Sequence, residues 1–171
     1  MLERSLKKAF IDQKIEGSLY DPKIIINDTK NKQYMLNVLQ NELETCEEFF
    51  FSVAFLTQDG LAALKTQLAD LHIRGIKGKI LTSIYLAFNQ PAVFEDLMKI
   101  PNVEVRISKK PGFHSKGYLF KQLGYHSFII GSSNLTMSAL KTNYEWNVRL
   151  SSYNHGQMIQ DIQLHMEQEW Q

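Results

Sequence analysis

One cysteine in 171 residues, Cys46, excludes an internal disulfide and any multi-cysteine metal site. It stands among Glu42, Glu44, Glu47 and Glu48, a setting that disfavours a reactive thiolate, and it reads as a small helix residue. No apolar run reaches the length of a bilayer crossing, and the opening MLERSLKKAF lacks the continuous apolar region of a secretory signal. A cytoplasmic protein with no membrane partner is the expectation. Internal repeats and low-complexity linkers are missing as well. The most informative absence is of acid: from Val105 to Tyr144, forty residues, there is no Asp or Glu. Arg106, Lys109, Lys110, Lys116, Lys121 and Lys141 give that segment +6, while 13 of the 19 basic residues face all 18 acids elsewhere and leave the remainder at −5. The total of +1 hides this division. A local basic field in an otherwise acidic chain implies an anionic ligand at one place rather than a surface that coats nucleic acid.

What is present suffices for one compact unit over residues 1–171, because 44% hydrophobic residues at this length can bury a real core. Apolar residues at 2, 6, 10, 11 and 15 predict a helix running to Gly17. A turn at Asp21-Pro22 and the short apolar KIIIN follow, then a second helical repeat in NKQYMLNVLQNELETCEE. FFFSVAFLT is continuously apolar, the pattern of a strand buried on both faces. GLAALKTQLADLHIRG reads as one helix, GKILTSI as a strand followed by a loop, PAVFEDLMKI as a helix started by Pro91, and NVEVRIS as an alternating strand. FHSKGYLFK and YHSFIIGSS read as two strands joined through Gly124. NLTMSALK is predicted as a short helix, EWNVRLS as a strand and GQMIQDIQLHMEQEW as a last helix. Strand, helix, strand, helix, strand in the middle predicts right-handed crossovers, and hence an α/β fold with a mixed, largely parallel β-sheet flanked by helices on both faces.

Three short stretches carry chemistry. In FHSKGYLF a strand geometry puts His114 and Lys116 on one face, with Ser115 opposite and Gly117 leaving room beside them. An ammonium next to an imidazole suits a phosphate, with the lysine on a non-bridging oxygen and a ring nitrogen facing phosphorus; H-x-K alone is also common by chance. In IIGSSNLTMSAL a strand ends at Gly131 and a helix is predicted to begin near Asn134, which sets free N–H groups and the positive helix end at a sheet edge. Ser132, Ser133 and Asn134 are therefore candidate phosphate contacts together with Lys116, although Asn134 could equally be a plain helix cap. Glu145 in NYEWNVRL ends the acid-free segment and is placed to accept a hydrogen bond from the other nitrogen of an imidazole, or to be an exposed strand-end charge. His72 ends a helix, and His126, His155 and His165 lack the grouping of a metal site, so no metal or other cofactor is expected.

H-x-K, G-S-S-N eighteen residues past the lysine and Glu145 eleven residues past the asparagine together resemble the phospholipase D-like superfamily, closest to its nuclease branch. The chain also resembles the phospholipase D-like domain at the N-terminus of bacterial helicase-type proteins related to restriction systems. That likeness implies a domain of a longer protein, with helicase domains as partners. It further implies that His114 attacks phosphorus to form a phosphohistidine, that Lys116 and Asn134 steady the oxygens, and that Glu145 orients the histidine. With one H-x-K present, the leaving group's proton must come from His114 of another copy, hence a homodimer with the active site across its interface. The implied substrate is a phosphodiester, with DNA the first expectation. One position departs from the lipid-hydrolysing branch, which carries an aspartate where this chain has Lys121. A binding module without turnover and a phospholipid hydrolase are the competing readings.

Overall fold

A computed structural model describes residues 1–84 and 89–171. The chain runs α1 (Leu2–Phe10), β1 (Lys23–Ile25), α2 (Met35–Thr45), β2 (Glu48–Val53), α3 (Gln58–Ala62), α4 (Lys65–Ile73), β3 (Lys77–Thr82), α5 (Pro91–Met98), β4 (Val103–Ile107), β5 (Lys116–Gln122) and β6 (Tyr125–Gly131). A π-helical turn (Ser138–Thr142), β7 (Asn147–Ser152) and α6 (Gln157–Trp170) complete it. The seven strands form one sheet in the order β1-β7-β6-β5-β2-β3-β4. The fold class is the expected α/β with a mixed sheet and helices on both faces. The parallel share is smaller than expected: β2–β3 and β3–β4 pair parallel, while β1–β7, β7–β6, β6–β5 and β5–β2 pair antiparallel. The two crossovers through α3–α4 and α5 impose the parallel pairs. The tight β5–β6 turn at Gly124, with φ +81°, reverses the chain and starts the antiparallel half.

Alternation in β2 explains the sandwich of helices. Phe49, Phe51 and Val53 enter the larger core under α2–α5, and Phe50 and Ala54 enter a smaller core under α6. The reading of FFFSVAFLT as a strand buried on both faces therefore holds. On the α6 side, Ile159, Met166 and Trp170 close the smaller core. Arg106 lies over the Trp170 ring at 4.8 Å and donates to its carbonyl at 2.6 Å, which ties the end of α6 to β4.

Three helices differ from the periodicity reading. The first stops at Phe10, because beyond it Ile11 is exposed and an Asp12 carboxylate turns the chain by accepting from Lys14 N–H at 2.9 Å. The predicted helix over 60–75 divides into α3 and α4. Gly60 lies where a side chain would strike the Leu135 backbone, so the first turn is tied to the site loop rather than to the rest of the helix. The predicted helix beginning near Asn134 is instead the π-helical turn that starts at Ser138. The strand read as GKILTSI is β3, which ends at Thr82, and residues 85–88 of the loop read after it lie outside the described residues.

The C-terminal ends of β2 and β3, the start of β5, the end of β6 and the start of β7 all lie at one edge of the sheet. Every residue singled out from the motifs belongs to the segments that cross this edge.

Candidate active site

His114 stands just before β5 rather than inside it, and Lys116 is the first strand residue. The carbonyl of Ser115 still accepts from Ala54 N–H at 2.9 Å, so the strand direction already holds there. Ser115 points away as alternation requires, its hydroxyl accepting from Ser52 Oγ at 3.0 Å. Lys116 Nζ lies 2.7 Å from His114 Nδ1, 3.2 Å from Nε2 and 2.8 Å from the His114 carbonyl oxygen. An ammonium only donates, so it binds whichever ring nitrogen carries the lone pair. Burial pulls the Lys116 amine below the ordinary lysine range, and the Glu145 charge works against that shift.

Phe55 forms one wall, and sequence reading missed it. Its ring meets the His114 ring edge-on at 5.5 Å between centroids, and Lys116 Nζ sits 5.9 Å from its centre. Phe55 N–H donates to Asn134 Oδ1 at 3.2 Å, and its carbonyl accepts from Leu135 N–H at 3.1 Å. Asn134 is thus no helix cap. Its oxygen fastens the Phe55 segment, and its amide N–H2 has no partner among the described residues, so it is free to donate to an anion. Behind Phe55 the buried Asn89 donates to the Ala54 carbonyl at 3.1 Å and accepts from Leu56 N–H at 2.8 Å. No local pattern announces Asn89, which lies 35 residues from the carbonyl it holds.

Glu145 sits two residues before β7. Its Oε2 accepts from Ser132 Oγ and its Oε1 from Asn143 Nδ2 at 3.4 Å; the Ser132 hydroxyl in turn accepts from Trp146 N–H at 3.0 Å. No hydrogen bond joins Glu145 to His114 among the described residues. Its charge is nevertheless felt by both Lys116 and Tyr118. Full burial and that charge push the Tyr118 phenol up, so it keeps its proton and donates to the Ser133 carbonyl at 2.9 Å. Ser133 is itself fully buried, its N–H spent on Asn147 Oδ1 at 3.2 Å and its hydroxyl on the Ala139 carbonyl at 3.3 Å. The G-S-S-N stretch therefore divides: Ser132 holds Glu145, Ser133 holds the loop, and Asn134 alone presents an open donor.

The other histidines scatter. His126 is buried at the far end of β6 between Asn154 at 3.0 Å and Gln163 at 3.2 Å, His155 stacks on Tyr153, and His165 lies on α6. Among the described residues no helix is long and apolar enough to cross a membrane.

A sheet edge that joins an H-x-K pair, an asparagine donor and a carboxylate defines the phospholipase D-like class. The chain belongs to that family: the family model described as cardiolipin synthase, PLD-like domain, matches residues 40–170. Two solved structures share the fold over nearly their whole length. NucT from Helicobacter pylori is 17% identical, covers 88% of this chain and 95% of its own, and superposes with a TM-score of 0.67. The phospholipase D family member Nuc from Salmonella typhimurium is also 17% identical, with the same coverage and a TM-score of 0.64. A mutant of yeast tyrosyl-DNA phosphodiesterase 1 is 13% identical over 75% of this chain and 31% of its own, with a TM-score of 0.51. No curated protein matches the chain.

Proposed function

We propose that the protein is a phosphodiesterase of the nuclease kind, working without a metal ion through His114. The observation that carries this reading is the Lys116 ammonium held 2.7 Å from the His114 ring, at an edge where Asn134 leaves its amide open. Lys116 shifts from the ring to a phosphoryl oxygen, and the freed lone pair of a His114 ring nitrogen attacks phosphorus while the ester oxygen departs, giving a phosphohistidine. Lys116 and the Asn134 amide take the charge that builds on the non-bridging oxygens. The leaving alkoxide takes a proton from a second imidazole. Water, deprotonated by that imidazole, then attacks phosphorus, and the nitrogen–phosphorus bond breaks to restore His114. Glu145, pinned by Ser132, keeps a negative charge close to Lys116 and so favours its ammonium form.

The second imidazole is His114 of a second copy, in a two-fold dimer that shares the site. Support comes from a strip of apolar side chains beside the site: Ile24, Val148 and Ile130 lie in register across β1, β7 and β6, and they are 62%, 39% and 52% exposed. Trp146 extends the strip at 56% exposure. DNA is the proposed substrate. The likeness to helicase-associated domains adds that sequence recognition belongs to other parts of a longer protein.

The test is cleavage of DNA and of bis(p-nitrophenyl) phosphate by purified protein in EDTA, with His114→Ala prepared identically. Activity that survives EDTA and disappears in the variant is the expected result. DNA binding without cleavage in either protein would make the domain a binding module, and hydrolysis of a phospholipid but not of DNA would overturn the nuclease reading.

A further inference from the structure

Lys141 is the last cation of the acid-free segment, and nothing in the His114 site uses it. It is exposed in the π-helical turn, with its Nζ 5.7 Å from the centre of the Tyr34 ring. Leu140 beside it enters the larger core, as do Tyr118 and Phe120, which alternate with Lys116 along β5. Lys116 and the π-helical turn therefore share the α2–α5 face.

Two further lysines stand next to Tyr34. β1 leaves the sheet at the site edge, since Ile25 pairs with Asn147, the first residue of β7. Residues 28–33 then form a tight hairpin, in which Asp28 and Gln33 exchange backbone hydrogen bonds of 2.7 and 3.0 Å. Asn27 fastens its base to the π-helical turn by donating to the Ala139 carbonyl at 2.9 Å and the Asn143 carbonyl at 2.8 Å. Lys30 and Lys32 are exposed at the tip. The hairpin's one acid, Asp28, is spent inside it, accepting from Lys30 N–H at 2.9 Å, Asn31 N–H at 3.2 Å and Asn31 Nδ2 at 2.6 Å. Among the described residues Lys32 is the one non-glycine with positive φ, +53°, a conformation that glycine or asparagine adopts at less cost. A lysine placed against its backbone preference points to a use for its side chain. Lys7, Lys8, Lys79, Lys99, Lys110 and Lys121 each reach a carboxylate, whereas Lys30, Lys32 and Lys141 form no ion pair among the described residues.

We propose that Lys30, Lys32 and Lys141 form a ledge for the phosphates of a polynucleotide that flank the bond cut at His114. The proposal rests on the phosphodiesterase reading and adds the extent of the substrate and the residues that hold it. Three strand spacings, roughly 14 Å, separate the end of β1 from β5. That is the rise of about four base pairs, so a chain with its scissile phosphate on Lys116 brings phosphates a few nucleotides along it to the ledge. The apolar strip of Ile24, Val148 and Ile130 lies on the other face, because the strand neighbours Ile25 and Ile129 enter the larger core, and a second copy seated on the strip leaves the ledge uncovered. A bilayer also presents phosphates, but residues 29–33, TKNKQ, offer no apolar side chain to enter one.

The experiment uses the full chain with a long single-stranded deoxyoligonucleotide, a dinucleoside monophosphate and bis(p-nitrophenyl) phosphate. In the combined variant Lys30→Gln, Lys32→Gly and Lys141→Gln, the ratio of kcat/KM on the oligonucleotide to that on either small diester should fall at least about tenfold, mostly through KM. Oligonucleotide affinity, measured in the His114→Ala background so that the strand stays intact, should depend on salt with a log–log slope shallower by about two. Lys32→Gly alone should give about a third of that change in slope. Its melting temperature should be no lower than that of wild type, since glycine adopts this φ freely. Lys121→Ala, at the opposite edge of the sheet, is the control for overall charge. An unchanged ratio and slope, with the small diesters still hydrolysed, overturn the ledge and leave the phosphodiesterase reading standing, and so does an equal effect from Lys121→Ala. No hydrolysis of any of the three substrates overturns both. Loss of binding to phosphatidylglycerol vesicles in the combined variant, with the oligonucleotide ratio unchanged, would assign the lysines to a lipid surface and overturn the proposal.

Discussion

Lys116 is charged in a place that resists charge. Burial lowers its proton affinity and Glu145 raises it, so the two residues together set the pH at which the ammonium is lost. If the ammonium steadies the phosphoryl oxygens, the alkaline limb of kcat falls below the ordinary lysine value of 10.5. Glu145→Gln removes the opposing influence and should move that limb to still lower pH, which a pH–rate profile on a small diester measures. An unmoved limb would show that Lys116 does not govern it. The sign for stability follows from the same shift: the folded protein holds this proton less tightly than the unfolded chain. Its charge is therefore a penalty at neutral pH, relieved as pH rises from the lowered value to the ordinary one.

At the scale of elements, α2 is fixed to the sheet by charge as well as by apolar contact. Glu42 on α2 accepts from Arg149 of β7 and Ser127 of β6, and Gln122 of β5 donates to it at 2.9 Å. Arg149 also donates to the Leu19 carbonyl at 3.2 Å, which ties in the segment before β1. Both ions are buried, so removing one strands the other. Arg149→Met should cost about 3–5 kcal/mol in urea unfolding. The double variant Glu42→Met with Arg149→Met should recover much of that loss, because no unpaired ion remains. The other end of α2 is held without a capping side chain of its own: Asn27 accepts from Met35 N–H at 3.0 Å and donates to the Ala139 and Asn143 carbonyls. Asn27→Ala releases three backbone groups at once and should loosen the segment that leads to Glu145, raising hydrogen exchange at residues 138–145.

For the whole molecule, the exposed strip of Ile24, Val148 and Ile130 connects surface chemistry to the site. A charge placed in it would face a second copy if the dimer forms there, and water if it does not. Val148→Asp should turn the dimer into a monomer by light scattering and remove DNA cleavage together with it, since a monomer has one active-site imidazole. An active monomer would sink the shared-site proposal.

His114, Lys116, Asn134 and Glu145 could be named as candidates from residue type and spacing, because each lies in a short motif within or just after the acid-free segment. The strands were legible for a similar reason: β2 is buried on both faces from Phe49 to Val53 and is apolar there apart from Ser52. Helix limits were less so, since α1, α3 and the π-helical turn end where tertiary contacts run out or intervene, and periodicity carries no record of those contacts. The sequence by itself determined the α/β class, the basic segment and the family motif, all of which rest on composition and local order. Only the tertiary structure decided that Phe55 and Asn89 support the pair, that Ser132 serves Glu145, that Ser133 is closed to ligands, and that the sheet is mostly antiparallel. Those depend on which distant segments meet at one sheet edge, and the physical reason is that hydrogen bonds and ring contacts act over ångströms in space, whatever the separation along the chain.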